Sequence, residues 1–325
     1  MDLSRSDWNS IFLPGINRSV SRIAFGCEAL GGFNWGDVDI DEIQNAIYRA
    51  IDGIRPGQSL LFDTADTYGP HLSEERLGEA LAAHGDKVVV ATKFGVRLQD
   101  GKAWYDNSAS YADQALDHSL GRLQRDCIDL YQLHWPDGKT PLTDTLSALE
   151  KFREEGRIKA YGVCNVPPVE LLPLVGEFPG LISFSQSYSL IERADRKHIQ
   201  ALCRAGLVFI AYGCLAQGLL SGKYNNGMQF GVNDRRSSEK YKNFHGKRLI
   251  QNLAVVEHLL QQADTIGLPV AAFALQFVLA DLPGAIALAG VKSADQWAQN
   301  VRALQSALPE DIHLTVREVL DETMS

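Results

Sequence analysis

Short runs rich in β-branched and other apolar residues recur along the chain at Arg22–Phe25, Leu60–Asp63, Val88–Thr92, Ile128–Leu133, Lys159–Val163, Ile182–Ser185, Val208–Tyr212 and Ala285–Ala289. Between them apolar residues repeat at helical spacing, as in Asp41–Ile51, Ser73–His84, Tyr111–Leu123, Thr143–Glu155, Asp195–Ala205, Asn252–Ile266 and Asp295–Ala307. Strands separated by helices need right-handed parallel crossovers, which leaves an open doubly wound sheet or a closed barrel. The count of eight strands predicts the barrel, a single (β/α)8 TIM-barrel domain over residues 1–325. No GxGxxG follows the first strand, so the usual mark of a dinucleotide-binding open sheet is missing. Gly218–Lys223 looks like a phosphate loop but is one residue short and lacks the following Ser or Thr.

One connection breaks the rhythm. From Leu215 to about Leu249 Gly, Asn, Ser and charged residues follow without periodicity, too long for a plain barrel loop, which predicts either a functional lid or a partly disordered insertion.

Charge and composition narrow the partners. Thirty-one basic against 40 acidic side chains give a net charge of -9, which argues against nucleic acid or an anionic membrane. The longest apolar stretch, Val270–Ala280, is too short to span a bilayer and is interrupted by Gln276. Met1–Asp7 lacks the apolar core of a signal peptide, so a cytoplasmic protein is expected. The five cysteines, Cys27, Cys127, Cys164, Cys203 and Cys214, form no CxxC pair and predict free, mostly buried thiols with no metal site.

In a parallel barrel the C-terminal ends of the strands converge on one mouth. There the chain reads Phe62-Asp63-Thr64-Ala65-Asp66-Thr67-Tyr68-Gly69 after the second strand, Ala91-Thr92-Lys93-Phe94-Gly95 after the third, and Leu130-Tyr131-Gln132-Leu133-His134-Trp135-Pro136-Asp137 after the fourth. Asp63, Tyr68, Lys93 and His134 are therefore expected to face one another. Singly, each has a plain structural explanation: a turn cap, a packing tyrosine, a surface charge, a satisfied core histidine. Together, at successive strand ends, they point to a reaction site.

These residues resemble the aldo-keto reductase family. Its DTAxxYG pattern stands at Asp63–Gly69, its strand-end lysine at Lys93, and its SLxRLxxDxIDLYxxH stretch at Ser119–His134. Gly162–Asn165, Tyr188–Arg193, Tyr212–Lys223 and Gly290–Asn300 also fit, so the similarity runs from about Ile23 to Asn300. It implies a carbonyl reductase that prefers NADPH, with NADH the second candidate, and acts on aldehydes, ketones or keto-sugars or runs in reverse on sugars. Tyr68 would be the proton donor. A free phenol has a pKa near 10, and an ammonium about 4 Å away favours the phenolate by roughly 4 kcal/mol at an effective dielectric near 20. Lys93 would supply that charge, Asp63 would hold Lys93, and His134 would donate to the substrate oxygen.

The resemblance also assigns the cofactor. Asn165 and Gln186 would meet the nicotinamide carboxamide, Tyr212 would stack on the ring, and the backbone from Leu215 through Gln217 and Gly218 would cradle the pyrophosphate. Lys292, Ser293 and Gln296, at a helix start, would meet the 2′-phosphate, with Asn300 at the adenine. Three departures stand out: Cys164 replaces the family's serine, Gln186 lies two rather than three residues before Tyr188, so that Ser185 competes for its place, and Gln296 is neutral where many relatives carry arginine. Trp35 and Trp135 are the expected walls of the substrate pocket, with Phe33, Trp104 and Tyr105 as further candidates. Three alternatives remain: a cofactor-binding regulatory subunit resembling potassium-channel β subunits, an NAD-dependent sugar dehydrogenase, and an aldolase-type barrel with Lys93 as Schiff-base amine.

Overall fold

The computed structural model describes residues 9–85, 87–99, 102–193 and 195–324. Its centre is a closed parallel barrel whose strands neighbour one another in chain order: β3 (Ile23–Gly26), β4 (Leu60–Asp63), β5 (Val88–Phe94), β8 (Ile128–Leu133), β9 (Ile158–Cys164), β10 (Leu181–Ser187), β11 (Val208–Tyr212) and β12 (Ala285–Gly290), with β12 pairing back to β3. All eight sequence-predicted strands are present. They are legible because each is an apolar run buried on both faces, against the barrel interior and against the outer helices.

Two antiparallel hairpins lie outside that pattern. β1 (Ser10–Leu13) and β2 (Arg18–Ser21) precede the barrel. Their Leu13, Ile16 and Val20 join the barrel-interior residues Ala24, Leu61, Val89, Leu130, Ala160, Val208 and Ile286 in one apolar cluster, so the hairpin plugs the floor. β6 (Val96–Gln99) and β7 (Lys102–Tyr105) extend the loop after β5 on the opposite, functional side.

The outer layer comprises α1 (Ile40–Asp52), α2 (Leu72–Leu81), α3 (Ala109–Leu123), α4 (Leu142–Glu154), the single turn α5 (Pro168–Leu171), α6 (Arg196–Arg204), α7 (Gly246–Thr265), α8 (Val270–Asp281), α9 (Ala294–Asn300) and α10 (Glu310–Met324). In α1 the Asp39 side chain accepts from Glu42 N at the start, and Ile43, Ala46, Ile47, Ala50 and Ile51 form the buried stripe. Helix α8 is buried almost all round, which accounts for its unbroken hydrophobicity as core packing. Among the described residues no single helix is long and apolar enough to cross a membrane.

The irregular connection is a folded strap. It runs from Leu215 to His245 through the 3-10 turns Ala216–Ser221, Arg235–Ser237 and Lys242–Phe244, with Leu219, Leu220 and Phe244 buried. Helix α7 begins at Gly246, before the apolar periodicity sets in at Leu249, because its first turn is polar. The strap is tied to the loop after β3: Trp35 bridges Asp234, Arg235 N donates to Asn34 O at 3.0 Å, and Arg235 pairs with Glu28 at 2.6 Å.

The same first loop also buttresses the loop that carries Tyr68. A Cβ on Gly31 would lie 2.7 Å from Gly69 N, and Gly69 itself has φ +63, with Gly31 O only 2.1 Å from where its Cβ would stand. Neither position has room for a side chain. Gly31→Ala is therefore expected to destabilise the fold by about 1–3 kcal/mol in urea denaturation. Gly121→Ala, at a helical site with nothing within 4 Å, should stabilise by about 0.5–1 kcal/mol. Equal effects from the two substitutions would remove the close-approach explanation.

Candidate active site

Alternation along parallel strands sends Asp63, Lys93 and Gln132 inward at the open end of the barrel, one layer above the apolar residues Leu61, Ala91 and Leu130. There Lys93 Nζ reaches three oxygens: Asp63 Oδ1 at 2.5 Å, Thr64 O at 2.7 Å and Tyr68 OH at 3.3 Å. An ammonium has three protons, and this geometry commits all of them. Because the phenol oxygen accepts from Lys93, its own proton remains available to another acceptor. The ring of His134 meets that of Tyr68 edge-on, with centroids 5.9 Å apart at 82°. The structure thus brings Asp63, Tyr68, Lys93 and His134 together.

Burial and charge pull these groups in different directions. Burial favours the neutral amine of Lys93, but Asp63 and Tyr68 outweigh it and push the ammonium above its ordinary range. That charge opposes the nucleophilic amine a Schiff-base mechanism requires. Burial raises the Tyr68 phenol, with Lys93 opposing. His134 is held well below its usual value, first by burial and then by Lys93, so its imidazole is neutral, and its Nδ1 is buried without a partner.

On the side of β9 to β11, Asn165 has φ 60 and is locked from both ends: its Nδ2 donates to His134 O at 2.8 Å and its Oδ1 accepts from Tyr212 OH at 2.6 Å. Gln186 Nε2 donates to Val166 O at 2.8 Å, whereas Ser185 is buried and donates to Ile210 O at 2.7 Å, so of the two only Gln186 is at the rim. After Leu215 the backbone turns left-handed at Ala216, Gln217 and Gly218, with φ of 46, 53 and 93. Such a run of strained conformations is characteristic of a ligand-facing turn.

At the start of α9, Ser293 Oγ caps Gln296 N at 3.3 Å, and Gln296 Oε1 accepts from Lys292 N at 3.0 Å. Lys292 Nζ crosses to Trp35 O at 2.5 Å. Trp35 therefore sits with the cations of the strap and not with the tetrad: Arg235 lies 4.8 Å, Arg236 5.6 Å and Lys292 5.9 Å from its ring. Asn300 is buried and its Nδ2 lacks a partner. Trp135, next to His134, is 41 % exposed and faces Tyr105 with ring centroids 6.4 Å apart. Trp104 instead stacks under the Arg97 guanidinium at 4.3 Å. Phe33 is exposed on the first loop.

Several contributors were not singled out in the sequence. Gln132 was discoverable, since it lies two residues after the inward-facing Leu130 on the same strand and so shares its face. Thr64 acts through its carbonyl, which no side-chain pattern reveals. Arg236, held by Asp234 and by Tyr224 OH, lies in the strap, where no periodicity marks it. All five cysteines are free, and among the described residues no group of three or more His, Cys, Asp or Glu is placed to hold a metal.

Comparison with known proteins follows the same outline. The model of the Aldo/keto reductase family matches residues 22–321. The chain is 31% identical over 325 residues to Aldo-keto reductase YhdN of Bacillus subtilis (strain 168), covering 98% of this chain and 95% of that protein. It is 28% identical over 313 residues to Aldo-keto reductase yakc [NADP(+)] of Schizosaccharomyces pombe, covering 94% and 90%. Among solved structures, the glycerol dehydrogenase AKR11B4 from Gluconobacter oxydans superimposes with a TM-score of 0.87 at 33% identity, covering 98% of this chain and 97% of that one.

The half-buried His134, held neutral, carries a stability consequence. In the unfolded chain a histidine takes up a proton near pH 6.5, while the folded site resists it. Its contribution is therefore complete above about pH 6.5 and declines as pH falls below that value. Urea denaturation between pH 7 and 5 should show His134→Gln losing less stability than wild type, by a slope of about one proton. Parallel curves would mean that His134 protonates freely in the folded state.

Proposed function

The chain belongs to the aldo/keto reductase family, and from that premise we propose that it transfers hydride between NADPH and a small aldehyde, ketone or keto-sugar, with Tyr68 as the general acid. The observation that carries this reading is the commitment of all three Lys93 protons, which leaves the Tyr68 hydroxyl proton available to another acceptor.

A bound nicotinamide supplies the hydride. Tyr68 would give its proton to the carbonyl oxygen that takes up negative charge during reduction, leaving a phenolate held against the Lys93 ammonium. Asp63 keeps that ammonium charged and aimed. Neutral His134 retains an N–H for the same oxygen, a preorganised donor in a site where burial strengthens it. Oxidation of an alcohol uses the same groups in reverse, with Tyr68 receiving the proton. Trp135 and Tyr105 offer exposed aromatic faces beside His134 for the rest of the substrate.

The chain's residues suit a phosphate-rich cofactor. Lys223, Arg236 and Lys292 lie close enough that burial, followed by the repulsion of Arg236 and Lys223, pulls the Lys292 ammonium down to about 8. An anion would relieve that repulsion. The unpartnered Asn300 Nδ2 is a donor awaiting an acceptor, and Lys292, Ser293 and Gln296 offer one charge and several neutral partners to a 2′-phosphate. The Schizosaccharomyces pombe relative named with NADP(+) is consistent with this preference.

Tyr68→Phe should lower kcat by about 10²–10⁴-fold while leaving NADPH affinity nearly intact. Wild-type turnover in that variant refutes the assignment. For the cofactor, a charge-assisted contact of about 1.5–3 kcal/mol predicts a preference for NADPH over NADH of about one to two orders of magnitude. Lys292→Ala should erase most of it. Between pH 7 and 9 wild-type affinity for NADPH should fall toward that of the variant as Lys292 loses its proton near 8, while NADH binding stays level. Fluorescence titration with both cofactors checks this, and equal affinities at pH 7 would exclude a Lys292–phosphate contact.

A further inference from the structure

Gln132 is fully buried inside the barrel and touches the ion pair through the Asp63 oxygen that Lys93 does not take. Its Nε2 donates to Asp63 Oδ2 at 3.3 Å, and its Oε1 accepts from Cys164 Sγ at 3.7 Å. Only one orientation of the amide satisfies both neighbours. A carboxylate can only accept, so the NH2 end must face Asp63, which turns the carbonyl to Cys164 and requires the thiol to donate. Burial pushes the Cys164 thiol up to about 12, so that proton is retained at any working pH.

The arrangement matters because a carboxylate with both oxygens open to one ammonium draws it toward the line between them. Here the amide occupies Oδ2, and Lys93 is left with Oδ1, from which Nζ also reaches Thr64 O and Tyr68 OH. We propose that Gln132 is a positioning residue for proton transfer: it separates the roles of the two Asp63 oxygens, keeps Lys93 within reach of Tyr68, and has its amide direction fixed by Cys164. The proposal rests on the reading of Tyr68 as proton donor. It also gives the replacement of the family's serine by Cys164 a function, since a thiol is the weaker donor and still sets the direction of the amide.

The test uses the full-length enzyme with NADPH and D,L-glyceraldehyde as the carbonyl probe, measuring kcat, KM, the pH profile of kcat, NADPH affinity and thermal unfolding. Gln132→Met keeps the volume and removes the donor. It should lose about 10–100-fold in kcat, displace the alkaline limb of the profile, and leave KM and NADPH affinity within about twofold. Gln132→Glu donates only while protonated, so its kcat should approach wild type at low pH and fall as pH rises, on a limb the wild type lacks. Cys164→Ser, a stronger donor, should keep wild-type kcat. A folded Gln132→Met enzyme with wild-type kcat and profile overturns the proposal. So does a Gln132→Glu enzyme whose defect does not change with pH, because the hydrogen bond would then be irrelevant; should Gln132→Met fail to fold, this profile decides alone. Wild-type turnover in Tyr68→Phe is a separate result, which removes the proton-donor reading itself.

Discussion

The active end of this barrel depends on one buried ammonium. Lys93 is 4 % exposed and Asp63 2 %, and a charge so removed from water persists only when its partners replace the lost hydration. That requirement dictates the neighbours. Asp63 supplies the counter-charge, Thr64 a carbonyl, and Tyr68 a phenol oxygen, and each comes from the segment leaving β4. Removing Asp63 would leave an uncompensated charge, whereas losing either neutral oxygen would leave one ammonium proton without its acceptor. The phenol benefits from a charge that is present for its own structural reasons.

Geometry elsewhere serves that unit. The β1–β2 hairpin closes the floor with apolar side chains, leaving only the strand C-termini open. The Gly31–Gly69 contact, with no Cβ on either side, sets the height of the loop on which Tyr68 stands. Asn165 links Tyr212 to the backbone of His134, so the ends of β8, β9 and β11 share one amide.

Much of this was readable before any coordinates. The eight barrel strands announce themselves because two-sided burial leaves uninterrupted apolar runs, and strand-end polar residues in a parallel barrel must converge. What escaped did so for physical reasons. Strand β7 is exposed along its whole length, α5 is a single turn that starts at Pro168, and α10 packs through scattered contacts such as Val316 and Leu320. The strap holds itself with 3-10 turns and ion pairs rather than with a repeating face. The contacts of Trp35 with the cations of the strap and with Lys292 are a tertiary match that no local pattern encodes.

The tie between Trp35 and the strap has a consequence for redesign. Trp35 bridges Asp234 and accepts from Lys292, so the loop that follows β3 and the segment that follows β11 form a hoop fastened at noncovalent clasps. A hoop transmits tension around its circumference. Lengthening or shortening the first loop would shift the clasp, and with it the turn that carries Arg235 and Arg236. Two segments far apart in sequence thus share one closed circumference, so a change of length in either has to be matched by the other.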